Sequence, residues 1–68
     1  MSAYKIIEVV GTSGKSWEDA TQQAVTSASK SLRNLRIAEV VKMDCTVDNK
    51  GKIKEFRARV ALSFKYEA

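Results

Sequence analysis

Lys52 to Tyr66 reads KIKEFRARVALSFKY, and its alternation is the clearest in the chain. Phe56, Ala58, Val60, Leu62, Phe64 and Tyr66 share one face, while Glu55, Arg57, Arg59, Ser63 and Lys65 share the other. Successive side chains of a strand point to opposite sides, so this pattern predicts a half-buried strand whose polar face is turned away from the core. Its length matters as much as its pattern. A compact chain of 68 residues has a radius of gyration of roughly 11 Å, or about 28 Å across. The 15 residues from Lys52 to Tyr66 span about 50 Å when extended. The strand therefore overhangs its own domain, and an overhanging apolar edge has to pair with or pack on another copy.

Asp48-Asn49-Lys50-Gly51 is a turn signal, and Arg36 to Val47 before it reads as the hairpin partner strand. A tight four-residue turn places Lys42 opposite Arg57 and Asp44 opposite Glu55. Like charges directly opposite are unfavourable, and the diagonal pairs Asp44–Arg57 and Lys42–Glu55 offset this. Strict alternation groups Val41, Met43, Cys45 and Val47, but it also carries Ile37 and Glu39 onto the buried face. An unpaired buried carboxylate costs several kcal/mol, roughly, so a bulge near Val40-Val41 is expected. Such a bulge turns Ile37 and Glu39 outward and keeps Ala38 and Val40 inside.

Tyr4 to Val10, YKIIEVV, is a β-branched apolar strand stopped by Gly11-Thr12-Ser13-Gly14. Ile7 and Val9 lie on one face, Ile6 and Val10 on the other, so both faces need cover. One helix can supply one cover. Ser16 is the N-cap of that helix, and Glu18 and Asp19 suit its first turn. Trp17, Ala20, Ala24, Ala28, Leu32 and Leu35 form its apolar face, with Lys30, Arg33 and Arg36 at its C-terminal end. The alanines let the helix sit close to a sheet that curls around it. A helix that carries the chain back makes strands one and two run the same way, opposed by strand three. The expected architecture is an α+β, β-α-β-β single domain over residues 1–68. Its antiparallel sheet has the order 1-3-2 and partly wraps one helix.

The totals narrow the function. A chain this small buries a modest core and usually needs a staple. A lone Cys45 gives no internal disulfide, and the absence of histidine removes the common zinc sites, which leaves oligomerisation. Met1-Ser2-Ala3 runs straight into a strand, and no apolar run reaches the ~20 residues of a membrane span, so a soluble cytoplasmic protein is expected. No residue set for catalysis is evident, since there is no histidine base and Cys45 lies among apolar neighbours without an activator. An enzyme is not expected. Cys45 reads as inert core, Trp17 as a helix-to-core anchor rather than a ligand platform, and Gly11 to Gly14 as a turn plus cap rather than an anion cradle. The formal charge of +4 is spread along the chain. Arg57, Arg59 and Lys65 could touch phosphate, but their face lacks stacking aromatics, so nucleic acid is disfavoured. Asp44 and Glu55, as expected neighbours, either join a solvated ion-pair lattice or share a hard cation such as calcium.

The whole chain resembles the dodecin family. The features that carry this are KIIEVV followed by Gly11-Thr12-Ser13, the helix start Ser16-Trp17-Glu18, Ala38-Glu39-Val40 in strand two, and the alternation from Phe56 to Phe64. The resemblance implies a hollow homododecamer that stores flavin in pairs between subunits, with coenzyme A as a further ligand of some members. It also implies which positions form the flavin pocket. The stacking tryptophan aligns with Ile37, the flavin-bonding glutamine with Arg57, one basic residue is kept as Lys65, and another aligns with Asp44. Ser16-Trp17-Glu18 and the hairpin VDNKGKI (Val47–Ile53) look closer to the calcium dodecin branch. Flavin binding is therefore expected to be weakened or lost. An ion-binding shell and a purely structural or protein-interaction shell stay open.

Overall fold

The computed structural model describes residues 3–66, with the side chain of Tyr66 outside the description. Its elements are β1 (Ala3–Ser13), α1 (Trp17–Ser29), β2 (Leu35–Val47) and β3 (Ile53–Tyr66). The three strands form one antiparallel sheet in the order β1-β3-β2. The β-α-β-β order and the central position of the longest strand are as the sequence predicts. The chain measures 53 × 19 × 14 Å with a radius of gyration of 13.9 Å. The long hairpin of β2 and β3 thus runs well past the body expected of a compact chain of this length.

α1 packs on β1 and β3 and barely reaches β2. Ala20, Ala24 and Ala28 bury themselves against Ala58, Val60 and Leu62, with Ile7, Val9, Val25, Leu32 and Leu35 around them. Among fully buried side chains the largest are Leu62 and Val60, so the core is thin. A helix is ~10 Å wide and strands are ~4.8 Å apart, so one helix covers about two strands. The helix-side face of β2 is consequently open. Ala38 and Val40 do point to that side, opposite Leu62 and Val60, but both are exposed in one subunit.

The bulge comes where Glu39 demands it. Pairing shifts between Val40 and Lys42, leaving Val41 extra, and Glu39 faces outward opposite Ala61. A second shift between Leu35 and Ile37 lets Leu35 join the core while Ile37 turns out.

The ends of β1 and α1 differ from the sequence reading. β1 does not stop at Val10, because Gly11, Thr12 and Ser13 continue the ladder opposite Ala58, Arg57 and Phe56. Gly11 lies under α1, where a Cβ would collide with the Ala20 carbonyl oxygen, so glycine here permits a close approach rather than a turn. α1 ends at Ser29 with no basic residue in its last turn. Ser27, Ser29 and Ser31 favour competing local hydrogen bonds, and Asn34 at φ 63 redirects the chain toward β2. Leu32 and Leu35 still reach the core, from the connection and from β2.

The hairpin register differs as well. Asp48 Oδ1 accepts from the amides of Lys50 (2.8 Å) and Lys52 (3.0 Å), and the Asp48 amide donates to the Lys52 carbonyl (2.9 Å). The loop takes in Lys52, with Gly51 at φ 80, so Val47 pairs with Ile53. A further shift sets Thr46 opposite Glu55 and Asp44 opposite Arg57. Asp44 and Glu55 are not opposite neighbours, and Lys42 faces Arg59 rather than Arg57.

Candidate functional site

The sheet face turned away from α1 carries every position singled out for ligand binding. Its rows run across all three strands. Ile6, Ser63 and Ile37 form one row; Glu8, Ala61 and Glu39 the next; then Val10, Arg59 and Lys42; then Thr12, Arg57 and Asp44. Tyr4 and Lys65 pair at the far end. Ile6 and Ile37 are 65% and 63% exposed, so two large apolar side chains flank a serine with nothing among the described residues above them.

Ile37, Arg57 and Lys65 do not converge within one subunit. Ile37 lies opposite Ser63, six residues along β3 from Arg57, which is about 20 Å of strand. Lys65 lies one row beyond Ser63, near Ile37 and far from Arg57; it is half-buried, and its amide donates to the Asn34 carbonyl at 3.1 Å. A pocket containing all three positions needs more than one copy of the chain.

Arg57 and Asp44 form the electrostatic centre of the face. Arg57 Nε donates to Asp44 Oδ1 at 2.8 Å, and a terminal nitrogen donates to Oδ2 at 3.3 Å. This hydrogen bond, against an opposing effect of desolvation and with the help of the charges of Arg57, Lys42 and Arg59, holds the Asp44 carboxyl below its ordinary range. The same pair raises Arg57. A carboxyl lowered on folding stabilises the fold at neutral pH, and this contribution is lost as pH falls through the lowered value. A small cavity of about 30 Å³ opens here, lined by Val10, Lys42, Asp44, Arg57 and Arg59.

Trp17 locks this region to the helix. Its Nε1 donates to the Asp44 carbonyl at 2.9 Å, and its ring meets Phe56 edge-on at 4.8 Å between centroids. At 36% exposure it anchors the hairpin rather than the alanine core. Cys45 is free and half-buried opposite Phe56. The Lys15 and Ser16 amides before the helix are used internally: Ser13 Oγ accepts from Lys15 (2.9 Å) and Ser16 (3.5 Å) while donating to Asp19, and Ser16 Oγ accepts from the Asp19 amide. Among the described residues no group of three His, Cys, Asp or Glu could hold a metal ion. None of their helices is long and apolar enough to cross a membrane. The Lys42–Arg59 opposition was missed from sequence because it depends on the loop taking in Lys52 and on the further shift between Thr46 and Val47.

A family model described as Dodecin matches residues 3–67. The chain belongs to the dodecin family. Calcium dodecin of Mycobacterium tuberculosis is 45% identical over 65 residues, covering 96% of this chain and 90% of the relative. Dodecin of Thermus thermophilus is 38% identical over 64 residues, covering 94% and 91%. Dodecin of Streptomyces coelicolor superposes with a TM-score of 0.92 at 33% identity, over 98% of this chain and 94% of the other. The M. tuberculosis crystal structure, described as calcium chelating with a calcium-binding site, gives a TM-score of 0.84 at 42% identity, over 97% and 93%. This dodecin thus shares its three-stranded sheet and single helix with both kinds of relative.

Proposed function

We propose that this dodecin is the subunit of a non-catalytic homododecameric shell. The shell holds a small ligand against the outer sheet face and binds flavin weakly or not at all. One observation carries the reading: the same sheet leaves apolar side chains uncovered on both faces. Ile6 and Ile37 are open on the outer side, and Met43, opposite buried Ala58, is 57% exposed on the helix side. Other copies of the chain supply the missing cover, as in the overhang argument, and the number twelve rests on the family. A cytoplasmic location fits the single free thiol. Met43→Asp tests the interface. A carboxylate placed against an apolar partner is expected to break the assembly into smaller species by size-exclusion chromatography, with the strand and helix signals of circular dichroism retained. Unchanged elution would remove the open face of β2 from the interface.

A second reading, calcium binding, is favoured by the 45% identity to a calcium dodecin. Asp44 is engaged by Arg57 and Glu55 faces Thr46, so a cation using either carboxylate has to complete its oxygen ligands from a second subunit. Calcium added to chelator-treated protein is then expected to raise the melting temperature, because a ligand of the folded state stabilises it. An equal rise in Asp44→Asn with Glu55→Gln would exclude these carboxylates, and no rise at millimolar calcium would end the calcium reading.

A further inference from the structure

We propose that the row Val10–Arg59–Lys42, with Arg57 beside it, is a binding site for a phosphate dianion, either free or as the end of a phosphomonoester. This deepens the small-ligand reading by naming a ligand class, and it rests on that reading for the face on which the ligand sits. The groups themselves all come from one subunit.

The register sets Lys42 directly opposite Arg59, and Arg57 follows two residues earlier on the same face of β3. Like charges directly opposite each other destabilise a strand pair, and the Asp44 carboxylate, which feels both charges, relieves this one only in part. Neither Lys42 nor Arg59 has an ion pair or a hydrogen-bond partner for its side chain there. The nearby carboxylate is already committed, since both oxygens of Asp44 are held by Arg57. The next row sets Glu8 and Glu39 on either side of Ala61, which bounds the basic row on that side, and neither reaches ion-pair distance. Three cations against one paired carboxylate leave an excess of two positive charges around one depression. A bridging dianion matches that charge and removes the Lys42–Arg59 repulsion. Arg59 offers a planar fork of N–H donors and Lys42 a compact point charge, a combination suited to phosphate oxygens.

Size points the same way. The depression has about 30 Å³ of room for water-sized groups, enough for two or three oxygens at about 10–15 Å³ each. It accepts oxygens of a phosphate but not an aromatic plate. Any body attached to that phosphate lies outside, over exposed Val10.

Isothermal titration calorimetry of the assembled protein with inorganic phosphate, phenyl phosphate and phenol tests this. It is run at low salt and about pH 8.5, well above the second pKa of a phosphomonoester, near 6, and that of inorganic phosphate, about one unit higher, so both are mostly dianionic. Saturable phosphate binding and silence with phenol are expected. Arg59→Ala and Lys42→Ala should each weaken binding by about tenfold or more, the size of a lost charge-assisted hydrogen bond. Asp44→Asn should tighten it, by removing a negative charge and freeing Arg57, while Lys50→Ala in the hairpin loop should leave it unchanged. Tighter binding of phenyl phosphate makes a monoester the ligand; equal or tighter binding of inorganic phosphate makes it the free ion. Absence of saturable binding, or equal weakening by Lys50→Ala and Arg59→Ala, would overturn the site. Light scattering on the same samples separates the two readings. An assembled protein deaf to phosphate removes the site alone, and a phosphate-binding monomer removes the shell alone.

Discussion

Gly11→Ala is expected to destabilise this protein strongly, by about 3 kcal/mol or more. The added Cβ would collide with the Ala20 carbonyl oxygen and lie 2.9 Å from the Ala24 amide nitrogen. These are backbone atoms in the middle of α1, so no side-chain rotation can make room. The helix would have to lift from β1 and β3, which separates Ala20 and Ala24 from Ala58 and Val60, the centre of the core. Overpacking costs about 1–3 kcal/mol, occasionally more, and a clash with fixed backbone belongs at or beyond the top of that range. A total stability of about 5–15 kcal/mol leaves little margin, and each kcal/mol lowers the melting temperature of a small domain by about 4–8 °C. Gly14→Ala is the control, since an added Cβ there meets nothing within 4 Å. Thermal melts followed by circular dichroism should show a large drop for Gly11→Ala and little change for Gly14→Ala. Equal melting of the two variants would mean that α1 does not lie on Gly11.

Riboflavin is expected to bind the unmodified protein weakly or not at all, and Ile37→Trp with Arg57→Gln is expected to restore tight binding. Ile37 offers an apolar surface, 63% exposed on the outer face, but no aromatic plane. Stacking of a base on an aromatic side chain is worth ~1–3 kcal/mol, used here by analogy for the flavin ring. Loss of two such platforms around a stacked pair corresponds to about a hundredfold or more in affinity, at 1.4 kcal/mol per tenfold. Arg57 adds to the deficit, because a guanidinium cannot accept a hydrogen bond and this one is held by Asp44. Quenching of flavin fluorescence measures both proteins. Strong quenching by the unmodified protein at submicromolar concentration would overturn the expectation.

Much of the architecture is legible because burial imposes simple periods. The alternation from Phe56 to Phe64 announces the central strand, and Ser16 announces the helix start. The bulge at Val41 follows from the cost of burying Glu39. What stayed hidden depends on local hydrogen bonds that hydrophobic pattern does not encode. Asp48 draws Lys50 and Lys52 into the loop and resets the hairpin, so the Asp44–Arg57 pair and the Lys42–Arg59 opposition emerge only with the register. The serines that end α1 early, and the use of Gly11 as a seat for the helix, belong to the same class. The flavin-pocket positions were nameable by resemblance, but their separation along β3 follows from the strand pairing.

The central claim is that one copy of this chain is incomplete: a thin core under one helix, and a 53 Å body with apolar side chains open on both faces of its sheet. Multi-angle light scattering of the purified protein at micromolar concentration tests it most directly. A single species of about twelve times the 7.6 kDa subunit mass is expected. A well-folded monomer of 7.6 kDa would contradict it.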